Sequence, residues 1–335
     1  MLGCYLLAGQ PDSSRDLVNE VRVAEALGLE AAFISERYNK KEAAVLSGAA
    51  GAVSERMRII TAATNHNTRH PMVTAGFART MQSLTGGRFT LGLGRGVAAM
   101  QDAYGIDRVT TQQLEDFALL MRRLFRGEVI FDHPGSPVLH LDGTLDEHLP
   151  MCLVAFGDRT LELAGRLFDD VVLHTYFTDE VTAHCVEVAK TAAEKADRQV
   201  RVWSCFATIP DHLPEELRLK KTVGRLGTYL QGYGELLVRT NGWDPAVLER
   251  FLADETVRSI PGLDMTATTE QLQHAGALIP DEWFAASATG TPEQCAAAVR
   301  GQLDLGCDGV ILHGCTPTEL APVVRAFAAA DTAPA

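Results

Sequence analysis

Residues 86–96 read Gly86-Gly87-Arg88-Phe89-Thr90-Leu91-Gly92-Leu93-Gly94-Arg95-Gly96. The first two glycines predict a sharp turn, and the alternating apolar residues that follow predict a buried strand. The later glycines leave the end of this strand without side chains, so its backbone can approach a neighbour closely. Two interpretations fit: a loop that holds a phosphate-bearing cofactor, or a closely packed barrel strand. The spacing is Gly-x-Gly-x-Gly and lacks the x-x-Gly ending of the dinucleotide fingerprint. The glycines alone therefore leave both interpretations open.

Strand-like runs and helical patterns alternate on both sides of this stretch. The strand-like runs are residues 3–8, 31–35, 58–62, 88–93, 151–155, 170–174, 200–207 and 309–313. The helical patterns cover residues 14–27, 42–53, 72–84, 112–125, 160–167, 180–196 and 317–330. Eight strands in β-α alternation predict an α/β fold, a (β/α)8 TIM barrel, with an open doubly wound sheet as the alternative.

Three stretches are longer than a standard repeat needs. Residues 95–111 read as a long loop, residues 127–147 as a small hairpin, and residues 210–289 as mostly helical. In a barrel, such insertions follow strands and build the rim of the site. Since no linker or repeat interrupts the pattern, we expect a single domain over residues 1–335.

Composition narrows the class of partner. The chain has 335 residues, 46% of them hydrophobic, and a formal net charge of −13, which argues against nucleic acid and anionic membranes as partners. No apolar run reaches the roughly 20 residues of a membrane span. Seven scattered cysteines without a Cys-x-x-Cys pair favour a reduced, cytoplasmic protein. His66 and His70 have the spacing of helical metal ligands, but Pro71 interrupts a helix there, so no metal site is expected.

Three blocks of sequence resemble the bacterial luciferase-like superfamily. Within it, the chain is most similar to the oxidoreductases that depend on coenzyme F420, a deazaflavin hydride carrier. The blocks are residues 58–64, 69–75 and 86–96, and the similarity resumes at 290–294 and 306–312. The resemblance implies a luciferase-like TIM barrel with insertions, whose cofactor lies across the carboxyl ends of the strands.

The resemblance also implies which residues surround the cofactor. In the family the third strand ends in a non-proline cis peptide behind the deazaflavin ring, which aligns with Thr61-Ala62 or one residue later. Thr61, Ala62 and Ala63 would form that backing, and Glu36 and Thr64 would contact the ring or its polyol. Two segments would hold the phosphate: Gly94, Arg95 and Gly96, and the strand-to-helix turn Phe156, Gly157, Asp158 and Arg159. Asp158 has an alternative role as a plain N-cap.

One departure from the family concerns proton transfer. Family members often carry an Asp-His pair after the second strand, and here the aligned pair is Glu36-Arg37. Glu36 either contacts the deazaflavin edge or pairs with Arg37 or Lys40 on the rim. Glu36 is also a candidate catalytic residue at the end of the second strand, and His66 and His174 are the candidate proton carriers, with His313 behind them. Each follows or ends a strand at the end of a barrel where catalytic residues lie.

The sequence therefore predicts an F420-dependent oxidoreductase that exchanges a hydride with a small-molecule substrate and forms a homodimer. The first alternative is a monooxygenase of the same fold that uses flavin mononucleotide (FMN). The second is a protein that binds F420 or a flavin without turnover, which the missing Asp-His pair favours.

Overall fold

The computed structural model describes residues 1–8, 13–131, 133–142 and 148–332. Within them, nine strands form one parallel sheet in the order β6-β5-β4-β3-β2-β1-β9-β7-β8. They are β1 (Leu2–Tyr5), β2 (Ala31–Ile34), β3 (Arg58–Thr61), β4 (Phe89–Leu93), β5 (Met151–Val154), β6 (Asp170–Val172), β7 (Arg201–Pro210), β8 (Ala288–Gly290) and β9 (Gly309–His313). Because β6 also pairs with β7, eight of them close into a barrel, which confirms the TIM barrel and excludes the open sheet.

The helices lie between these strands. In the first half of the described chain they are α1 (Asp16–Ala26), α2 (Ala43–Val53), α3 (Pro71–Leu84), α4 (Ala98–Tyr104), α5 (Thr111–Phe125), α6 (Asp158–Leu167) and α7 (Asp179–Lys195). In the second half they are α8 (Glu215–Leu219), α9 (Arg225–Asn241), α10 (Pro245–Ala253), α11 (Glu255–Ser259), α12 (Leu263–Thr266), α13 (Thr269–Gly276), α14 (Asp281–Phe284), α15 (Pro292–Asp304) and α16 (Pro317–Thr332). A 3-10 turn covers His66–Thr68, and a π-helical turn, Lys220–Gly224, joins α8 to α9.

The structure agrees to different degrees with what the sequence predicted for the three long stretches. Residues 95–111 are not only a loop, because α4 lies within them. In residues 127–147, Ile130 and Leu139 exchange both backbone hydrogen bonds, at 2.8 and 3.0 Å, as expected for a hairpin. Residues 132 and 143–147 of that hairpin lie outside the described part. Residues 210–289 hold seven helices, as predicted, but they also contain the start of β8, which the sequence analysis missed.

The amino end of the barrel is closed around one carboxylate. Asp170, at the start of β6, is fully buried and accepts hydrogen bonds from Arg58 on β3 and Arg201 on β7. The indole Nε1 of Trp203 donates a third bond to it, at 2.9 Å. These contacts join strands on different sides of the barrel, and they hold the pKa of Asp170 down, at about 2, against the opposing effect of burial.

Gly92 is a glycine because of the neighbouring strand and not because of a ligand. A Cβ there would lie 1.5 Å from the carbonyl oxygen of Thr61, and the Thr61 hydroxyl bonds both the N–H and the C=O of Gly92. A Cβ on Gly94 would lie 2.9 Å from the Cβ of Ala63. At both positions the close approach is between β3 and β4, which supports the barrel-packing interpretation of the glycines.

Candidate functional site

Two adjoining spaces open at the carboxyl ends of the strands. The first, called here the inner cavity, has a volume of about 160 Å³. It is lined by Tyr5, Leu7, Ala8, Ser35, Arg37, Lys41, Val154, Leu173, His174, Thr175, Cys205, Tyr229 and His313. The second, the outer cleft, has a volume of about 570 Å³ and is lined by Glu36, Tyr38, Asn39, Lys40, Lys41, Glu42, Thr68, Arg69 and Ile106. Lys41 lines both, so the two spaces meet at the segment that follows β2.

Hydrogen bonds tie the loops around the outer cleft to one another. The Tyr38 hydroxyl donates to Asn65, and the Asn65 amide donates to the carbonyl of Gly94, at 2.9 and 2.8 Å. A Cβ on Gly96 would meet polar atoms of Tyr38, Asn65 and Gln101 within 3.1 Å. The loops after β2, β3 and β4 are therefore packed on one another before any ligand binds.

Glu36 is held by Arg69 and not by Arg37 or Lys40. Its side chain is only 6% exposed, and it accepts hydrogen bonds from Arg69 at 2.9 Å and from Thr64 at 3.1 Å. Its other oxygen faces the backbone N–H of Ala43 at the start of α2, at 3.3 Å. The rim pairing expected from the sequence is wrong in its partners, because Arg69 reaches Glu36 from the loop after β3.

The end of β3 carries the non-proline cis peptide between Ala62 and Ala63, the later of the two positions expected from the family. The carbonyl oxygens of both alanines accept hydrogen bonds. The Tyr5 hydroxyl donates to that of Ala62 at 3.1 Å, and the backbone N–H of Glu36 donates to that of Ala63 at 3.0 Å. The Thr61 side chain is directed at β4, and Thr64 is buried against Glu36 and Arg69. Neither threonine side chain lines the inner cavity or the outer cleft.

The structure separates the three candidate histidines. His174 and His313 line the inner cavity. His66 lines neither space; its ring stacks on Phe117 of α5, with ring centroids 4.8 Å apart, and burial lowers its pKa. The position of His66 gives no support to a role in proton transfer.

His174 lies in an aromatic cluster with both ring nitrogens in use. Its Nδ1 is 2.7 Å from the carbonyl of Thr175, which can only accept, so Nδ1 carries the proton. Nε2 then accepts from the Tyr233 hydroxyl at 3.0 Å. Burial lowers the pKa of His174 to about 4, so the ring is neutral at pH 7. Phe156 packs against it, with ring centroids 4.6 Å apart.

His313 is the less constrained of the two cavity histidines. Its ring meets Tyr5 edge-on at 5.2 Å, and its buried Nδ1 has no hydrogen-bond partner among the residues that the structure describes. Burial, with the cations Arg225, Arg37 and Lys41 nearby, holds its pKa well below the usual value. A neutral imidazole that lines the cavity can donate to or accept from a ligand there.

The two segments expected to hold phosphate follow β4 and β5 and line neither the inner cavity nor the outer cleft. Arg95 is exposed, and its Nε donates to the carbonyl of Val109 at 2.8 Å. The N-cap of α6 is Gly157, so the N-cap interpretation of Asp158 is wrong. Asp158 instead pairs with His184 at 3.1 Å. Arg159 is exposed and makes no hydrogen bond or ion pair within the described ranges.

Arg37 and Lys41 are the residues that the sequence analysis did not assign to the site. Arg37 was noted as a departure from the family and as a possible rim partner of Glu36, and Lys41 not at all, yet both line the inner cavity. A signal was present, because residues 37–41 hold three cations directly after a strand in a chain of net charge −13. Position at a strand's carboxyl end, together with a charge opposite to that of the whole protein, would have identified them.

A closed parallel barrel with its cavities at the carboxyl ends of the strands is the arrangement of barrel enzymes. The chain matches the model of the luciferase-like monooxygenase family over residues 2–309, and it belongs to that family. It is 25% identical to the 5,10-methylenetetrahydromethanopterin reductase of Methanolobus tindarius, over 88% of this chain and 89% of that protein.

Solved structures agree on the fold. The coenzyme F420-dependent tetrahydromethanopterin reductase of Methanopyrus kandleri superposes with a TM-score of 0.81 at 18% identity, covering 98% of both chains. An F420-dependent secondary alcohol dehydrogenase, solved with an F420-acetone adduct, gives a TM-score of 0.69 at 16% identity and covers 98% of both chains. In this chain, no helix of the described residues is long and apolar enough to cross a membrane, and no three of their His, Cys, Asp or Glu side chains are grouped as metal ligands.

Proposed function

We propose that this protein is an F420-dependent oxidoreductase that exchanges a hydride between the deazaflavin and a small organic substrate. The observation that carries the proposal is the similarity to the methylenetetrahydromethanopterin reductases over 88% of the chain. The two spaces at the carboxyl ends of the barrel strands are where such a fold binds its ligands.

The residues that line the inner cavity and the outer cleft fit a deazaflavin. The inner cavity alone is small, but with the outer cleft it reaches the roughly 300–1,000 Å³ of cofactor and ligand sites. Tyr5 and Val154 give the inner cavity apolar surface for a flat ring, and Ser35 gives a donor for a polar ring edge. Arg95, Arg159 and the first turn of α6 remain our candidates for the phosphate and the acidic tail.

Bound F420 would supply the hydride chemistry, and the chain's residues would do the rest. The hydrogen bonds from the Tyr5 hydroxyl and the Glu36 backbone N–H hold the backbone of Ala62 and Ala63 in place at the end of β3. The neutral ring of His313 lines the inner cavity, its buried Nδ1 has no partner among the described residues, and it is the group we propose to hold a proton near the substrate. His174 is less suited, because its Nδ1–H and Nε2 already have partners.

A second candidate function is an FMN-dependent monooxygenase. The observation in its favour is the family description itself, which names luciferase-like monooxygenases. The same two spaces offer a flavin ring the same apolar walls and donors, so geometry alone does not choose the ring system.

A binding titration tests the choice. We expect the purified protein to bind F420 with a Kd in the micromolar range or tighter, about −8 kcal/mol or more favourable. FMN and NADPH should bind at least tenfold more weakly in the same fluorescence assay. A reversed ranking of F420 and FMN would make the monooxygenase the better assignment, and failure of both to bind would remove both.

A further inference from the structure

The inner cavity has a charge opposite to that of the protein. Among the residues that the structure describes, two cations, Arg37 and Lys41, line it and no Asp or Glu does, although the chain carries a net charge of −13. A small cavity with cationic walls in an acidic protein raises the local concentration of anions over that of neutral or cationic molecules.

The backbone sets the two cations side by side. Arg37 and Lys41 exchange both backbone hydrogen bonds, each 3.0 Å, as a directly opposed antiparallel pair. Side chains of such a pair leave the same face with Cα atoms about 5.5 Å apart, and like charges at that position repel. The turn therefore holds together two charges that would be more stable apart.

The Lys41 side chain has partners within the protein, whereas the Arg37 side chain has none among the described residues. The Lys41 ammonium donates to the carbonyls of Leu6 and Leu7, at 3.3 and 3.0 Å. The Arg37 side chain makes no hydrogen bond or ion pair within the part of the chain that the structure describes, although the residue is half-buried and lines the cavity. A guanidinium has five N–H donors in a planar fork that matches a carboxylate.

We propose that the substrate is a small carboxylate, whose carboxyl group pairs with the Arg37 guanidinium while Lys41 adds positive charge beside it. This substrate class rests on the proposed oxidoreductase function and specifies its second ligand. The volume of about 160 Å³ limits the part of the substrate inside the cavity to a few heavy atoms, which suits a short-chain organic acid.

The first experiment measures wild-type binding by calorimetry, with pyruvate as the probe and pyruvamide as its neutral counterpart, without and with F420. We expect pyruvate to bind at least tenfold more tightly than pyruvamide. Equal affinities would overturn the proposal, and this comparison needs no variant. A separate F420 titration of the same sample reports on the oxidoreductase function, so the substrate class and the proposed function can fail independently of each other.

The second experiment tests Arg37 directly. Arg37→Gln should lose the preference for pyruvate, and Arg37→Lys should keep only part of it, since a point charge replaces the fork. Arg22→Gln removes the same charge from the exposed face of α1 and should change nothing. If Arg37→Gln keeps the preference, the proposal is overturned.

The carboxylate tail of F420 is a second source of the same chemistry. A substrate carboxylate and the F420 tail are distinguished by titrating wild type and Arg37→Gln with F420 and with the deazaflavin riboside, which lacks the phosphate and the tail. If Arg37 serves a substrate, the variant should bind both about as well as wild type does. A loss confined to F420 would assign Arg37 to the cofactor tail and overturn the substrate class.

Discussion

Gly92 lies where two neighbouring strands come closest. Because a Cβ at this position would lie 1.5 Å from the Thr61 carbonyl, Gly92→Ala must separate β3 from β4. We expect the free energy of unfolding to fall by more than about 4 kcal/mol in urea denaturation, or the protein not to fold. The control is Gly76→Ala in α3, where a Cβ meets nothing within 4 Å and alanine should stabilise by about 0.5–1 kcal/mol. Equal midpoints for the two variants would contradict this account.

Single residues were the hardest part of the site to predict. The position of Glu36 after β2 could be predicted from the sequence. Its contact with Arg69 could not, because Arg69 comes from another loop and the contact depends on how the two loops pack. His66 and His174 were equally good candidates in the sequence, since His66 follows a predicted strand and His174 ends one. Packing against Phe117 removes His66 from the cavity, and no local pattern carries that information.

At the scale of elements, periodicity was a good guide where a segment was long. The seven predicted helices and eight predicted strands are all present, and most of their ends are within two residues of those predicted. Three elements lie outside the predicted ranges: β8, which has three residues and pairs with the end of β7, α4, which has seven, and the longer α15, which has thirteen. Segments as short as β8 and α4 make too few contacts of their own to leave a pattern, and their neighbours decide their structure.

The segment after β2 and the start of α2 are joined through Glu36. Because its carboxylate is nearly buried between Arg69, Thr64 and the Ala43 amide, Glu36→Gln should destabilise the ligand-free protein by about 1–3 kcal/mol in urea denaturation. Glu42→Gln is the matched control, since Glu42 also pairs with Arg69 but is 44% exposed and should lose less than about 1 kcal/mol.

The opposite outcome would identify Glu36 as a ligand of the cofactor. In that case Glu36→Gln would leave the ligand-free protein as stable as wild type and weaken F420 binding at least tenfold. The two measurements on one variant therefore separate a contact that holds the loops from one that holds the deazaflavin.

On the scale of the whole molecule, the buried Asp170 cluster and the candidate site lie at opposite ends of the barrel. The Asp170 cluster closes the amino end, and the cavity lined by Arg37 and His313 opens at the carboxyl end. The alternation of strands and helices was enough to predict this division, because every barrel strand runs in the same direction. The alternation gives no information on the charge of the cavity, whose signal in the sequence is the three cations of residues 37–41.

The division predicts that Asp170→Asn damages the fold without damaging the site. Removing the carboxylate leaves the Arg58 and Arg201 guanidinium groups without their partner, and we expect a loss of about 3 kcal/mol at pH 7. The affinity of the folded protein for F420 should not change. Asp102→Asn, which removes an exposed partner of Arg108, should leave the unfolding midpoint in urea where it is.

The pH dependence of this loss identifies its cause. The folded-state pKa of Asp170 is lowered to about 2 from an ordinary 3.8, so the carboxylate stabilises the folded protein fully above pH 3.8 and loses that contribution as the pH falls through 2. The stability difference between wild type and Asp170→Asn should therefore be constant from pH 5 to 8 and shrink between about pH 4 and 2. A difference that stayed constant down to pH 2 would show that packing of the side chain, and not its charge, closes the barrel.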